Sequence, residues 1–321
     1  MTRTERSSPV VVIVGASSGI GRATALAFSK RDRPRLVVAA RNRDALEEVA
    51  TECRARGATV LVAATDVSIP EQLAELVAAA VRAYGRIDLW VGAASVASYG
   101  LIEDTPVEVF QKQTEINYLG WVYSTKAVLP LFRRQGAGHF ILIGSIYSKI
   151  ATPLMSGYLS SKHAAWGFTE TLRQELRGSG IHVSAVMPAT IDTPIYQHAA
   201  NYTGRSVHAM PPTVAAERVA RAVLRVSRRP RNQVVVGQVQ RTLIGVHAVA
   251  PRFYDTVARF ALFHIATRPK PTPRSDGNVF TANTALTTVD GGWRWSPGRR
   301  LALAVVAVGA AWSTTRRLRR G

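Results

Sequence analysis

Short, nearly continuous apolar runs alternate with longer segments of helical periodicity over the first 237 residues of the chain. Such runs are typical of strands that are covered on both faces, because polar residues do not alternate with the apolar ones. The seven predicted strands are 10–14, 36–40, 59–64, 89–92, 139–143, 182–187 and 233–236. The helical segments between them predict one α/β domain, with a doubly wound seven-stranded parallel sheet and helices on both faces.

Hydroxyl and acidic residues indicate where two of the helices start. Ser68 and Glu71 have the spacing of a capping box, with Pro70 in the first turn, and Thr105 and Glu108 repeat that spacing. We therefore expect helices to be capped by Ser68 and by Thr105.

The pattern changes after Gly237. Residues 239–266 are largely apolar with a helical period that Pro251 interrupts, and the next segment is rich in proline and charge. These shifts predict a flexible N terminus (1–9), the α/β domain (10–237), a helical extension (238–267), a Pro-rich connector (268–298) and an apolar tail helix with basic flanks (299–321).

A glycine-rich turn, G15-A-S-S-G19-I-G21, follows directly on the first predicted strand. Gly15 permits a tight turn, Gly19 lets the backbone approach a pyrophosphate, and Gly21 lets the following helix pack on the sheet. The start of that helix offers free N–H groups and a positive potential to phosphate groups. We therefore expect a dinucleotide at this turn, bound by Gly15, Ser17, Ser18, Gly19, Ile20 and Gly21.

The end of the second strand indicates which dinucleotide binds. An acid there would accept a hydrogen bond from the ribose 2′-OH of NAD, whereas a cation accommodates the 2′-phosphate of NADP. The segment A39-A40-R41-N42-R43 has no acid, so we expect NADP(H) to be favoured over NAD(H), with Arg41 as the phosphate clamp. Asp66 and Val67 follow the third strand and are expected in the same site, with Asp66 accepting from the adenine amino group.

Tyr158 and Lys162 stand four residues apart on a helix predicted over 158–177, so their side chains share one face. A free tyrosine has a pKa of about 10 and is a poor acid–base group at neutral pH. A nearby ammonium favours the phenolate and lowers that pKa. Ser145 ends the fifth strand, at the carboxyl edge where such a sheet places its site.

The order of these motifs resembles the short-chain dehydrogenase/reductase (SDR) family over residues 10–237. The matching motifs are G-A-S-S-G-I-G, D66-V67, I116-N117-Y118, Ser145, Y158-L-S-S-K162 and P188-A-T-I-D-T-P. The resemblance implies a Rossmann-type, NADP(H)-dependent oxidoreductase acting on CH–OH groups. It places Pro188 and Thr193 at the cofactor, with Thr193 at the nicotinamide carboxamide. It also implies homodimers or homotetramers formed through the helices around 106–134 and 158–177.

The resemblance further implies the roles of four residues. Tyr158 would be the general acid/base, while Lys162 would bind the nicotinamide ribose hydroxyls and lower the pKa of the tyrosine. Ser145 would form a hydrogen bond with the substrate oxygen, and Asn117 would hold a water molecule in a proton relay.

Three positions depart from the family pattern. Val14 replaces a threonine before the first glycine, G92-A-A-S95 replaces the N-N-A-G motif after the fourth strand, and Ala189 replaces a glycine. The first two changes remove side-chain hydrogen bonds that brace the turn and the strand. We therefore expect them to affect local stability more than chemistry.

The segment between Pro188 and a helix expected near Val214 predicts a lid over the substrate. Apart from Arg205 it offers no charge for an ionic substrate, so we expect a hydrophobic ketone, aldehyde or secondary alcohol. The residues expected to contact it are Ile146, Tyr147, Met155, Tyr196 and Tyr202. An equally good interpretation is that these residues pack the lid on itself. No metal site is expected, because His198 and His208 lack further ligands nearby in the sequence.

Positive charge is concentrated in the last third of the chain. The net charge is +20, and from Arg218 onward nineteen arginines and lysines face three acids. This uneven distribution is not that of a basic nucleic-acid-binding domain, so no nucleic-acid partner is expected. The single cysteine, Cys53, and the lack of an apolar secretory segment before Val10 favour the cytoplasm.

The tail leaves three interpretations open. Its apolar run, 301–315, would span about 22 Å as a helix, which is less than the roughly 30 Å of a hydrocarbon core. It could be a membrane anchor or interfacial helix, a helix packed on the domain or on a neighbouring subunit, or a disordered basic segment.

The sequence as a whole predicts an oxidoreductase that interconverts a hydrophobic carbonyl and its alcohol. The alternative is a catalytically silent NADP-binding regulator or scaffold that reaches a membrane or a partner through this tail.

Overall fold

Seven parallel strands form the central sheet of the protein, which the computed structural model describes over residues 8–30, 34–282 and 284–294. The strands of this part are β1 (Val10–Val14), β2 (Arg35–Ala40), β3 (Thr59–Ala64), β4 (Leu89–Gly92), β5 (Ser98–Tyr99), β6 (Gly138–Ile143), β7 (Ile181–Pro188), β8 (Ile191–Asp192), β9 (Ala200–Asn201), β10 (Arg205–Val207), β11 (Val214–Ala215), β12 (Gln233–Val236) and β13 (Thr267–Pro271). The α-helices are α1 (Gly19–Ser29), α2 (Arg43–Arg54), α3 (Pro70–Tyr84), α4 (Val107–Thr114), α5 (Gly120–Gln135), α6 (Ser156–Glu175), α7 (Ile195–His198), α8 (Ala216–Arg228), α9 (Gln238–Val249) and α10 (Pro251–Ala261).

The sheet has the strand order β12-β7-β6-β4-β1-β2-β3, and every pairing within it is parallel. Alternate residues of a strand point to opposite faces. On β1, Val11 and Ile13 therefore pack against α1, α2 and α8, while Val12 and Val14 pack against α3, α5 and α6. The predicted doubly wound sheet is confirmed, and each of its seven predicted strands agrees with the structure to within one residue at either end.

The predicted capping boxes are wrong. Helix α3 begins one residue after Ile69, and the Ser68 hydroxyl instead donates to the Asp66 carboxylate, at 2.7 Å. The Thr105 hydroxyl donates to the Leu101 carbonyl, at 2.8 Å, and makes no cap. Hydroxyl side chains readily bond nearby loop groups, and here those local partners take the place of the helix N–H groups.

The helical extension is present after the sheet. Helices α9 and α10 meet at Pro251, and a π-helical turn, Leu262–Ala266, continues α10. The segment predicted as a connector then forms β13, antiparallel to β10, and continues across the carboxyl edge of the sheet to residue 294. The tail helix and most of the flexible N terminus lie outside the described residues. Within the described ranges, no helix is long and apolar enough to cross a membrane.

A buried imidazole lies between two central strands. His139 of β6 is 6% exposed, and its Nε2 lies 2.8 Å from the Ser184 hydroxyl of β7. Burial, together with the neighbouring ring of His182, lowers the pKa of His139 to about 4. The folded protein therefore holds this imidazole neutral at pH values where the unfolded chain protonates it.

We predict that the free energy of unfolding falls as the pH drops from about 6.5 to about 4, because only the unfolded state gains this proton in that interval. The contribution of His139 amounts to roughly 3 kcal/mol at most. Urea unfolding of the wild type and of His139→Gln at several pH values measures it, since glutamine keeps a hydrogen-bonding side chain without the titration. Equal pH slopes for the two proteins would contradict the assignment.

Candidate active site

The turn between β1 and α1 is closed by two glycines in contact. Gly15 has a left-handed φ of +86°, and its N–H donates to the Ala39 carbonyl at 2.7 Å. A Cβ on Gly21 would overlap the Gly15 carbonyl oxygen. A side chain at Gly21 would force the helix away from the strand, and one at Gly15 would overlap the backbone of Ala93 and Ala94. The two glycines therefore place the first N–H groups of α1 at the carboxyl edge of the sheet.

A cleft of about 1180 Å³ opens above this turn. The start of α1 offers N–H donors, and the glycines let phosphate groups come close to the backbone. Together with the open cleft, these features suit a dinucleotide with its phosphates on α1. The predicted cofactor residues that line the cleft are Gly15, Ser17, Ser18, Gly19, Ile20, Gly21, Arg41, Asp66, Val67, Tyr158, Lys162 and Thr193.

Arg41 and Asp66 line the cleft, but both have protein partners. The Arg41 guanidinium donates to the carbonyls of Asn278 and Val279, at 2.7 and 3.4 Å. Burial lowers the pKa of Arg41, and the charge of Asp66 opposes that shift. One carboxylate oxygen of Asp66 accepts from both the N–H and the hydroxyl of Ser68. The roles of Arg41 at a 2′-phosphate and of Asp66 at adenine stay predictions.

Two other predicted residues lie beside the cleft. Asn117 sits in a π-helical turn, Glu115–Leu119, and its side-chain amide bonds only protein groups. Its oxygen accepts from Ser95 and from the Val96 N–H, and its nitrogen donates to the Val96 carbonyl and to Ser161. Its predicted place in a proton relay would therefore need a group other than this amide. Pro188 lines a second cleft.

Tyr158 lies where the two clefts meet and lines both of them. Its ring is 8% exposed and packs edge-on against Tyr147, with centroids 6.4 Å apart. Burial raises the pKa of Tyr158 to about 12, and hydrogen bonds with Ser145 and Ser95 oppose the rise without cancelling it. The phenol is therefore protonated at neutral pH and adjoins the Ser145 hydroxyl.

Lys162 lies behind the tyrosine on the same face of α6. Its Nζ is 5.6 Å from the centroid of the Tyr158 ring and donates to the Ile143 carbonyl at 3.4 Å. Burial lowers the pKa of Lys162 to about 8. The expected lowering of the tyrosine pKa by this lysine is not what the structure shows, because the cost of burying the phenolate dominates.

The second cleft has a volume of about 750 Å³ and a mainly apolar wall. Four of the five predicted substrate residues line it, namely Ile146, Tyr147, Met155 and Tyr196. Tyr202 does not line it, because its hydroxyl donates to the Asp276 carboxylate at 2.6 Å. Among the described residues of the wall, His208 is the one with a basic side chain, and there is no carboxylate.

The sequence alone did not reveal three contributions to these clefts. Ser95 stands in a motif that departs from the family pattern, yet it reaches both Tyr158 and Asn117. Leu262 and Ala266 bring the helical extension into the wall of the second cleft. Residues after β13 bring Asn278, Ala282 and Thr287 into the first. The position of Ser95 in the motif after the fourth strand could have indicated its role. The segment after β13 has no apolar periodicity that could have indicated its contacts with the cleft.

A doubly wound sheet with a glycine-rich first turn defines a nucleotide-binding α/β protein. A family model described as short chain dehydrogenase matches residues 9–202. The chain is 30% identical over 325 residues to an uncharacterized oxidoreductase of Bacillus subtilis, YxnA, covering 97% of this chain and 91% of that protein. The chain belongs to the short-chain dehydrogenase family and is an oxidoreductase of that family.

Two solved structures are similar to the chain. An alcohol dehydrogenase from Thermococcus sibiricus, complexed with 5-hydroxy-NADP, is 28% identical with a TM-score of 0.63, covering 71% of this chain and 96% of that one. A short chain dehydrogenase/reductase from Burkholderia phymatum, in complex with NAD, is 24% identical with a TM-score of 0.70. The match covers 84% of this chain and 98% of that one. Together with the glycine-rich turn, the family supports a nicotinamide cofactor in this chain without distinguishing NADP from NAD.

We predict that Gly21→Ala lowers the free energy of unfolding by about 1–3 kcal/mol, because the new Cβ overlaps the Gly15 carbonyl. Gly167→Ala is the matched control, since a Cβ there meets no atom within 4 Å and the residue is inside α6. That control is expected to stabilise the protein by roughly 0.5–1 kcal/mol. Chemical unfolding of the three proteins measures the difference. Equal stabilities of the two variants would show that the turn is not closely packed.

Proposed function

We propose that the protein interconverts a hydrophobic ketone or aldehyde and its alcohol, with NADP(H) as the hydride donor or acceptor. The observation that supports this most strongly is the position of Tyr158 at the junction of two clefts of different chemistry. One cleft carries the glycine-rich turn and a helix start, and the other is apolar. A substrate in the second cleft and a cofactor in the first would meet at this phenol.

The cofactor would be held by the residues of the first cleft. The N–H groups at the start of α1 bind the pyrophosphate, Lys162 bonds the nicotinamide ribose and Thr193 contacts the carboxamide. When bound, the nicotinamide supplies or removes a hydride, which protein side chains cannot do themselves.

Tyr158 exchanges a proton with the substrate oxygen. Its pKa, about 12, keeps the phenol protonated at neutral pH, and in this form it can donate its proton to the substrate oxygen. Ser145 is hydrogen-bonded to the phenol and orients the same oxygen.

The proposed substrate class follows from the wall of the second cleft. Its aliphatic and aromatic lining would bury an apolar body, and it offers no cation–carboxylate pair to an ionic one. The raised pKa values of Tyr99, Tyr147 and Tyr196, which burial causes, keep these phenols neutral. A steroid, lipid or terpenoid carbonyl would suit such a cleft.

The preference for NADP(H) is supported by the position of Arg41. It lies at the end of β2, lines the cofactor cleft, and has no acid beside it at the strand tip. A guanidinium has five donors, so it can bind a phosphate while it keeps a carbonyl partner.

We also propose that the chain forms a homodimer or homotetramer through the faces of α4, α5 and α6. Ile102 and Val107 beside α4 are 70% and 61% exposed, which is high for aliphatic side chains of this size. Light scattering at increasing concentration measures the mass in solution.

We predict that Tyr158→Phe lowers turnover by a factor of about 10²–10⁴, because it removes the proton donor and keeps the ring. NADPH oxidation at 340 nm, with a panel of apolar and charged carbonyls, measures it. Tyr99→Phe removes a hydroxyl from another buried tyrosine of the second cleft and is expected to change turnover less than tenfold. Tight NADPH binding without turnover in the wild type would favour the silent regulator instead.

We predict that Arg41→Ala raises the Kd for NADPH at least about tenfold more than the Kd for NADH, because only NADPH loses a phosphate contact. Arg43→Ala is the matched control, since Arg43 is exposed and pairs with Glu47 at 3.8 Å. Fluorescence titration with each dinucleotide measures the ratio of the two constants. An unchanged ratio in Arg41→Ala would show that this arginine does not select the cofactor.

A further inference from the structure

A segment after β13 lies over the cofactor cleft. We call residues 276–294 the strap, of which all but residue 283 are described. Asn278, Ala282 and Thr287 of the strap line the cleft together with the glycine-rich turn. The matched part of the short chain dehydrogenase model ends at residue 202, so the strap lies outside it.

At the phosphate end of the cleft, strap carbonyls occupy donors of the first helix. The Gly19 N–H donates to the Thr288 carbonyl at 2.9 Å, and the Arg22 guanidinium donates to the Thr287 carbonyl at 2.7 Å. Gly19 is the first residue of α1, so its N–H has no partner within the helix. Such an N–H is the kind of donor that a pyrophosphate uses.

At the ribose end, the strap engages the predicted phosphate clamp. Arg41 donates to the carbonyls of Asn278 and Val279, and Val279 is the strap residue that is fully buried. Donors at both ends of the cofactor groove therefore hold the same segment of chain, and they do so through backbone carbonyls that carry no sequence signal.

The strap is fixed most firmly at its C-terminal end. The buried carboxylate of Asp192 accepts from the N–H groups of Gly291 and Trp293 and pairs with Arg294 at 3.1 Å. The Trp293 indole donates to the Thr193 carbonyl at 3.1 Å. These contacts adjoin the residue proposed to bind the nicotinamide carboxamide.

The other end of the strap is fixed by the side-chain bond from Tyr202 to Asp276, by the Asn278 N–H, which donates to the His198 carbonyl at 2.8 Å, and by the buried Val279. Between these two anchors the strap is largely exposed, as Phe280 at 42% and Leu286 at 50% show. The bonds from Gly19, Arg22 and Arg41 to strap carbonyls hold the strap against the cleft, so lifting it has to break these bonds.

We propose that the strap is a component of the cofactor site, which has to lift from Gly19 and Arg41 for the dinucleotide to enter or leave and which closes over it again once it is bound. This inference rests on the proposed function, because it presumes a nicotinamide dinucleotide in the cleft. Because the strap has to lift both for entry and for release of the dinucleotide, its opening sets the association rate as well as the dissociation rate. A strap that stays in place would leave the association rate of the dinucleotide unchanged. Its contacts with the bound dinucleotide would then affect the dissociation rate alone.

Gly291→Ala tests the proposal, because a Cβ there would overlap the Thr193 carbonyl and the Trp293 indole and push the strap outward. Gly245→Ala is the matched control, since Gly245 is on α9 and a Cβ there meets no atom within 4 Å. Stopped-flow measurement of NADPH fluorescence gives both rate constants for the full chain. We expect both to rise at least fivefold in Gly291→Ala and to stay within twofold of the wild type in Gly245→Ala.

Unchanged rate constants in Gly291→Ala, or a faster dissociation with unchanged association, would overturn the lifting strap and leave the proposed function standing. Absence of NADPH binding to the wild type and to both variants would overturn the proposed function and the strap with it. Asp192→Asn removes the anchoring charge without adding an atom to the interface and is expected to raise both rate constants as well. If Gly291→Ala does not fold, the two rate constants of Asp192→Asn decide whether the strap lifts.

Discussion

The contact between Gly21 and the Gly15 carbonyl is the constraint on which the site depends. It brings α1 against β1 so closely that the first N–H groups of the helix face the carboxyl edge of the sheet. The cofactor cleft, Arg41 at the next strand and the strap above them are all positioned relative to that helix start. A larger residue at Gly21 would displace the start of α1, and with it the donors that these parts share, whereas one at Gly15 would displace the backbone of Ala93 and Ala94.

Burial controls the chemistry at the junction of the clefts. Tyr158 and Lys162 are both desolvated, which raises the pKa of the phenol to about 12 and lowers that of the ammonium to about 8. Desolvation therefore outweighs the attraction that the lysine would exert on a phenolate in a more polar site. The result is a protonated phenol beside Ser145 at the edge of a mainly apolar cleft, which is the arrangement that the proposed proton donation requires.

The sheet could be predicted because its inner strands are buried on both faces, so that burial and sequence pattern coincide there. The edge strands β3 and β12 are only partly buried, but their apolar runs were enough to indicate them. The residues of the first turn followed from the glycine spacing and Ser145 from the carboxyl edge, whereas Asn117, Pro188 and Thr193 followed from the family resemblance. The strap could not be predicted, since carbonyls of Asn278 and Thr288 make its contacts and any residue supplies a carbonyl. The capping of α3 was mispredicted because Ser68 bonds Asp66 within its own loop, a choice that spacing does not reveal.

Hydrogen exchange of the full chain with and without NADP⁺, followed by mass spectrometry, tests the central claim most directly. If the dinucleotide lies on the start of α1 beneath the strap, exchange slows at residues 15–21 and at residues 276–292. Slower exchange on another surface, with residues 15–21 unchanged at a saturating NADP⁺ concentration, would contradict the assignment of this cleft as the cofactor site.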